Sequence, residues 1–158
     1  MTATARTTAE TALDRVPAHR ATIGCVIVAC DVAESIAGVL DSLFRQTRVP
    51  DVIHVVVSNT SDATVEIASR HAGRRDVVTA RGRQVTEVFV HDIGQKPEAG
   101  ALDYGCTLVE GYDYLLGIDG DTVVGERATE NLESEAMSDT QTLSMFFKLI
   151  RHGGGCDI

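Results

Sequence analysis

Leu115-Leu116-Gly117-Ile118-Asp119-Gly120-Asp121-Thr122-Val123-Val124 reads as an apolar strand halted by two aspartates with one small residue between them. In an open α/β sheet, ligands bind outside the carboxyl ends of the strands. Two carboxylates at such an end suit a hard divalent cation with oxygen ligands. A cation held there can in turn hold a diphosphate, which directs attention to nucleotide-linked substrates.

The rest of the chain supplies the sheet that such a strand needs. Residues 22–29, T-I-G-C-V-I-V-A, and 52–57, V-I-H-V-V-V, are short apolar runs rich in β-branched residues, as strands buried on both faces should be. A third strand is expected over 85–91, and the fourth, 112–118, delivers Asp119 and Asp121. Between the first two, Ile36, Val39, Leu40, Leu43 and Phe44 recur at helical spacing. Asp31 is placed to cap that helix, with Glu34 three residues on as its capping-box partner.

Further helices are expected over 63–71, 98–110 and 126–137, with Gly73 stopping the first. Ala101, Leu102, Gly105, Leu108 and Val109 share the inner face of the second. Residues 74–84, with Arg74, Arg75, Arg81 and Arg83 around Gly82, read as a solvated loop; the alternative is an arm that touches a diphosphate or an anionic acceptor. The alternation of strand and helix implies an α/β fold, a mostly parallel sheet with helices on both faces.

Bulk properties narrow the function. The 158 residues make one domain: an N-terminal arm over 1–21, a folded unit over 22–150 and a frayed tail over 151–158. Hydrophobic residues reach 44% and aromatics only 4%, so the core must be aliphatic. A net charge of −9 gives no electrostatic reason to bind nucleic acid or an anionic membrane, and no segment is apolar enough to span one. An acidic protein that handles a diphosphate needs a local positive charge, and a metal ion supplies it.

None of Cys25, Cys30, Cys106 and Cys156 lies in a C-x-x-C pair, and no histidine spacing completes a zinc site. Cys25 and Cys106 fall in apolar patterns and read as small buried hydrophobes. Free thiols and the absence of a secretory signal point to the cytoplasm.

Four segments together resemble the nucleotide-sugar-binding half of a family 2 glycosyltransferase of the GT-A type. C-V-I-V-A-C-D-V-A-E-S-I, residues 25–36, is similar to the family's opening strand and P-x-Y-N-E turn, with Val28, Cys30 and Asp31 in the Pro, Tyr and Asn places. L-D-S-L-F-R-Q-T, residues 40–47, matches its S-L-x-x-Q-T helix. V-V-V-S-N-T-S-D-A-T, residues 55–64, resembles V-V-D-D-G-S-T-D-G-T, with Val57 and Ser58 replacing the two acids. K-P-E-A-G-A-L-D-Y-G, residues 96–105, looks like K-x-x-A-L-N-x-G, and G-Y-D-Y-L-L-G-I-D-G-D-T, residues 111–122, matches G-D-Y-x-x-x-L-D-A-D-T.

The resemblance implies a nucleoside-diphosphate-sugar donor bound by Ala29, Asp31, Glu34, Ser58, Asn59, Lys96, Asp103, Asp119 and Gly120. It also implies Mg2+ or Mn2+ held by Asp121 and Asp119, and Lys96 near the diphosphate. Ser58 or Asn59 would offer the base a neutral hydrogen bond in place of the lost acid.

The family's domain normally continues beyond D-x-D into an acceptor site with a catalytic base and a Q-x-x-R-W segment. Here only residues 125–158 follow, and no such segment is present. Glu126, Glu130, Glu133, Glu135 and Asp139 read as solvated charges on an exposed helix. The apolar run 143–150 implies cover from a missing region or a protein partner. The alternative function is a non-catalytic nucleotide-sugar-binding or interaction module. A dehalogenase-like phosphatase, with Asp119 as nucleophile, is disfavoured because its D-x-D would end the first strand. The missing G-x-x-x-x-G-K-[ST] and G-x-G-x-x-G disfavour P-loop and dinucleotide enzymes.

Overall fold

A computed structural model of the chain describes residues 20–138. Most of the expected arm, the apolar run 143–150, Asp139, Cys156 and the frayed tail lie outside the described residues. In chain order the elements are β1 (Ile23–Ala29), α1 (Ile36–Phe44), β2 (Val52–Val57), α2 (Thr64–Ser69), β3 (Gly73–Thr79), β4 (Gly82–Asp92), α3 (Ala101–Leu108), β5 (Tyr114–Asp119) and α4 (Ala128–Ser138). The five strands form one sheet in the order β3-β4-β2-β1-β5. β1 is parallel to both β2 and β5, and β2 is parallel to β4. Only β3 runs antiparallel, against β4.

The expected α/β architecture with a mostly parallel sheet is therefore present, with one addition. The stretch read as an arginine loop is strand β3 and the first turn of β4. Its hairpin tip lies at the amino end of the parallel strands, where Gln84 binds Thr47 and Val49. That is the end opposite Asp119, so the arginines do not form an arm at the diphosphate. Arg75 instead lies over the Phe44 ring at 4.6 Å, Arg83 pairs with Asp76, and Arg81 faces Glu130 and Glu133.

Each sheet face has its own core. On one, the stripe Ile36, Val39, Leu40 and Leu43 of α1 packs with Ala68 of α2 over Cys25, Ile27, Ile53, Val55 and Ile118. On the other, α3 brings Ala101 and the following Val109 onto Val26, Val52 and Val56. Cys25 is fully buried as expected, and burial pushes its thiol far up; Cys106 is only partly buried. Helix α3 sits very close to the sheet. A Cβ on Gly105 would come within 2.2 Å of a Val26 methyl, and one on Gly24 within 2.7 Å of Val109.

The Q-T pair has a structural task. Gln46, fully buried, donates to the Gly125 carbonyl at 2.6 Å and accepts from the Thr129 N–H at 3.0 Å. Thr47 donates its backbone N–H to the Glu126 carbonyl and its hydroxyl to Glu130. The end of α1 thus clamps the chain that descends from Asp121 into α4.

Beside it Arg48, 1% exposed, is neutralised by Asp51 and by Glu133 at 3.0 and 3.2 Å. Glu130 and Glu133 are therefore not solvated charges, as the sequence alone implied. They are ligands of a buried cation and its neighbours at the amino end of the sheet. A water-sized cavity of about 20 Å³ lies close by, between Ile23, Leu116, Leu132 and Ala136, well away from the aspartates.

Candidate donor site at the carboxyl edge

The register of the parallel strands fixes what meets at their carboxyl edge. Ala29 lies beside Val57, Val28 beside Asp119, and Val57 beside Asp92. The loops that follow, 30–35, 58–63, 92–100 and 120–127, emerge together. Asp31, Glu34, Ser58, Asn59, Lys96, Asp119, Gly120 and Asp121 all fall on this edge, and Asp103 sits in the first turn of α3 just after it. The structure brings these residues to one edge, and it gives Asp31 a different partner from the helix cap that the spacing predicts.

Asp31 does not cap α1. It has a left-handed backbone, φ 46°, and its carboxylate accepts the Ser61 N–H at 2.7 Å and the Ser61 and Thr60 hydroxyls. The helix starts later, with Ser35 as N-cap, so the Asp31–Glu34 capping box is not formed. Glu34 is exposed beside it. The reason is competition: the loop after β2 offers Asp31 three donors from 30 residues away, more than its own helix would.

Asp62 makes the reciprocal tie. It accepts from the Ala33 N–H at 3.1 Å, the Thr64 N–H at 2.9 Å, and the Thr60 and Thr64 hydroxyls. The Thr64 hydroxyl above all holds the Asp62 carboxyl down at about 2, and the Ser61 N–H holds Asp31 below the usual carboxylate range. Both stay ionised. Thr64 also accepts the Val32 N–H at 2.9 Å, which locks the β1 and β2 loops into one lattice. The resemblance gives Ser61, Asp62 and Thr64 the turn and the helix start; that Asp62 and Thr64 also tie this loop to the one after β1 was signalled only by the S/T-x-D-x-T pattern of a loop rich in short acceptors.

The D-G-D turn is pinned from below. Gly120 donates to the Val28 carbonyl at 2.8 Å, and its own carbonyl accepts from the Ser35 hydroxyl at 3.0 Å. A Cβ here would meet Val32 at 2.9 Å and Ala29 at 3.2 Å. The middle residue is therefore glycine for contact with β1. Ala29 is buried, with its carbonyl taken by the Ser58 N–H, so neither residue offers a side chain to a ligand. Ser58 is itself 7% exposed. Asp119 is partly buried and Asp121 is exposed, its carboxylate 3.3 Å from the Thr122 hydroxyl.

Asn59, one of the two residues offered for the base along with Ser58, has its side-chain oxygen bound to the Lys96 N–H at 2.7 Å. Its own N–H donates to the Gly94 carbonyl at 3.0 Å, and Gln95 reaches the Thr60 carbonyl at 2.9 Å. The loop that carries Lys96 is thus fastened to the loop after β2.

This geometry, a parallel sheet whose fourth parallel strand ends in a pinned D-G-D beside the β1 and β2 loops, coincides with a sequence match. The model of the family described as Glycosyl transferase family 2 matches residues 25–146. The chain belongs to this family. Residues 25–138 of the unit described above lie within that match. No curated protein matches the chain.

A glycosyltransferase of this family handles an anionic donor, and charge at the edge is the constraint. Loops 30–35, 58–63, 92–100 and 119–127 carry Asp31, Glu34, Asp62, Asp92, Glu98, Asp119, Asp121 and Glu126 against Lys96 and Arg127, and Arg127 is paired with Glu130. A diphosphate meets net negative potential there unless a cation intervenes. The carboxylates of Asp119 and Asp121 are hard oxygen donors and fit a divalent ion. Among the described residues no group of three His, Cys, Asp or Glu could hold a metal, so protein oxygens would fill only part of its shell. Mg2+ is commonly bound in that way, by one or two carboxylates with water and phosphate oxygens completing the set.

Proposed function

We propose that the chain binds a nucleoside-diphosphate sugar at the carboxyl edge through Mg2+ or Mn2+, and that the sugar passes from this donor to an acceptor hydroxyl. Asp121, and with it Asp119, would hold the ion; when bound, the ion neutralises charge that develops on the departing diphosphate. Lys96 adds a positive charge on the loop after β4. Ser58 lies at the end of β2, where an acid of the family would read the base. The observation that carries this reading is the pinned D-G-D turn in an edge otherwise too acidic for a diphosphate.

Transfer to an acceptor also needs a base near the attacking oxygen. Glu130 and Glu133 cannot serve, because they are engaged with Thr47 and Arg48 at the far end of the sheet. This favours donor binding as the activity of the described residues, with turnover dependent on a base supplied from beyond them.

Calorimetric titration with UDP-, GDP- and TDP-sugars, with and without Mn2+, tests the proposal. One of them should bind only with metal, and Asp121→Ala should abolish that binding at unchanged thermal stability. Equal binding by Asp121→Ala would remove the metal assignment. Sugar release during the titration separates a transferase from a binding module.

A further inference from the structure

We infer that Asn59 is the positioning residue that fixes the backbone of Lys96 at the carboxyl edge; this rests on the donor-site reading above. In the family's pattern the place of Asn59 is held by glycine, which has no side chain to offer. Here φ is 53°, a left-handed backbone that glycine adopts freely and asparagine tolerates better than most residues. The substitution therefore keeps the turn and adds a side-chain acceptor, and that acceptor is bound to the Lys96 N–H at 2.7 Å.

Lys96 is held in a state that it would not choose. Its φ is 48°, uncommon for a residue with a long side chain, and Pro97 narrows its choices further. Such a conformation persists only where the surroundings over-determine it. Two bonds centred on Asn59 do so: the Lys96 N–H to its side-chain oxygen, and its own N–H to the Gly94 carbonyl. Removal of the side chain deletes the first bond and lets Lys96 return to negative φ. That rotation swings the lysine side chain away from the direction that the loop now gives it.

The consequence is a function for Asn59 that is exerted through another residue. Asn59 acts through Lys96, so its contribution to binding should vanish when the lysine is gone. Exposed acids dominate this edge, so a lysine that strays loses an attraction that no neighbour replaces.

The test uses Asn59→Gly, which preserves the turn, in a cycle with Lys96→Ala. The probe is inorganic pyrophosphate with Mn2+, followed by calorimetry, with amide hydrogen exchange at Lys96 read on the same proteins without ligand. Asn59→Gly should weaken binding roughly five- to tenfold in the parent chain and less than about twofold in the Lys96→Ala background, as expected of lost preorganisation. Exchange at Lys96 should accelerate while the melting temperature stays within a few degrees. Unchanged exchange, or an affinity loss of the same size in both backgrounds, would overturn the inference. A parent chain that binds pyrophosphate with equal affinity after Asn59→Gly removes this inference alone. A parent chain that binds none removes the donor-site reading and this inference with it.

Discussion

Substitution of Gln46 by alanine measures what the Q-T pair is for. Gln46 is fully buried, and its amide joins α1 to the chain that leads from the D-G-D turn into α4. Alanine orphans the Thr129 N–H, on a residue 2% exposed, whereas the Gly125 carbonyl keeps the Ala128 N–H at 3.0 Å. A buried donor left without a partner costs about 1–3 kcal/mol, and with the cavity included the net loss is about 3 kcal/mol. For a domain of this size the melting temperature should fall by roughly 10 °C.

Urea unfolding gives the same quantity as a lower midpoint at constant slope. Gln46→Met refills the space without the bonds and should recover only the cavity part. Metal-dependent donor binding, measured well below the melting temperature, should survive, because Gly120 is held separately by Val28 and Ser35. A stability loss under about 1 kcal/mol, or loss of donor binding in a folded variant, would refute the clamp.

Three further outcomes are expected. Gly105→Ala should destabilise by about 2 kcal/mol despite better helix propensity, whereas in a Val26→Ala background the same change should become neutral or stabilising; a urea double-mutant cycle reads the coupling. Burial, and secondarily His91 at 2.9 Å, pushes His54 down to about 4, so the unfolded chain takes up its proton first as pH falls. Stability from this group is complete above the ordinary histidine value of about 6.5 and is lost progressively towards pH 4, by roughly 2 kcal/mol after solvent screening; the slope above pH 5 should shrink in His54→Phe to the part left by His91, which burial also holds below the ordinary value. Glu133→Ala should cost about 2 kcal/mol by leaving the buried Arg48 underpaired, while Glu126→Ala on the exposed surface should stay within about 0.5 kcal/mol in thermal unfolding.

The parallel strands and α1 were legible because their signal is local: β-branched runs buried on both faces, and an apolar stripe at helical spacing. The D-G-D turn was legible for the same reason, since a strand that ends in two acids declares its edge. β3 was not. It is an edge strand with one open face, so Arg74, Asp76 and the 85% exposed Val78 blur the alternation that would mark it. Arg81 and its neighbours read as loop because their partners Glu130 and Glu133 are far along the chain. Asp31 was misread as a cap for a similar reason: its donors come from residues 60 and 61. In the site, sequence spacing placed these residues at one edge of the sheet. It could not say that Ala29 and Gly120 pack against each other, or that the Asn59 side chain meets the Lys96 N–H. Those distinctions depend on which loop lies across from which.

The position of β1 in the sheet also orders events in time. Gly24 finds Val52 across about 30 residues, but it meets Leu115 only after about 90 have been made. The half-sheet of β1, β2 and the β3–β4 hairpin can therefore assemble first, and β5 closes on it last. The two aspartates arrive with that final strand. On the proposed reading the chain could not grip an ion before its topology is complete, and occupancy by ion and donor would favour the closed state by mass action. Ligand would thus act as a checkpoint on the last step of folding as well as a participant in chemistry.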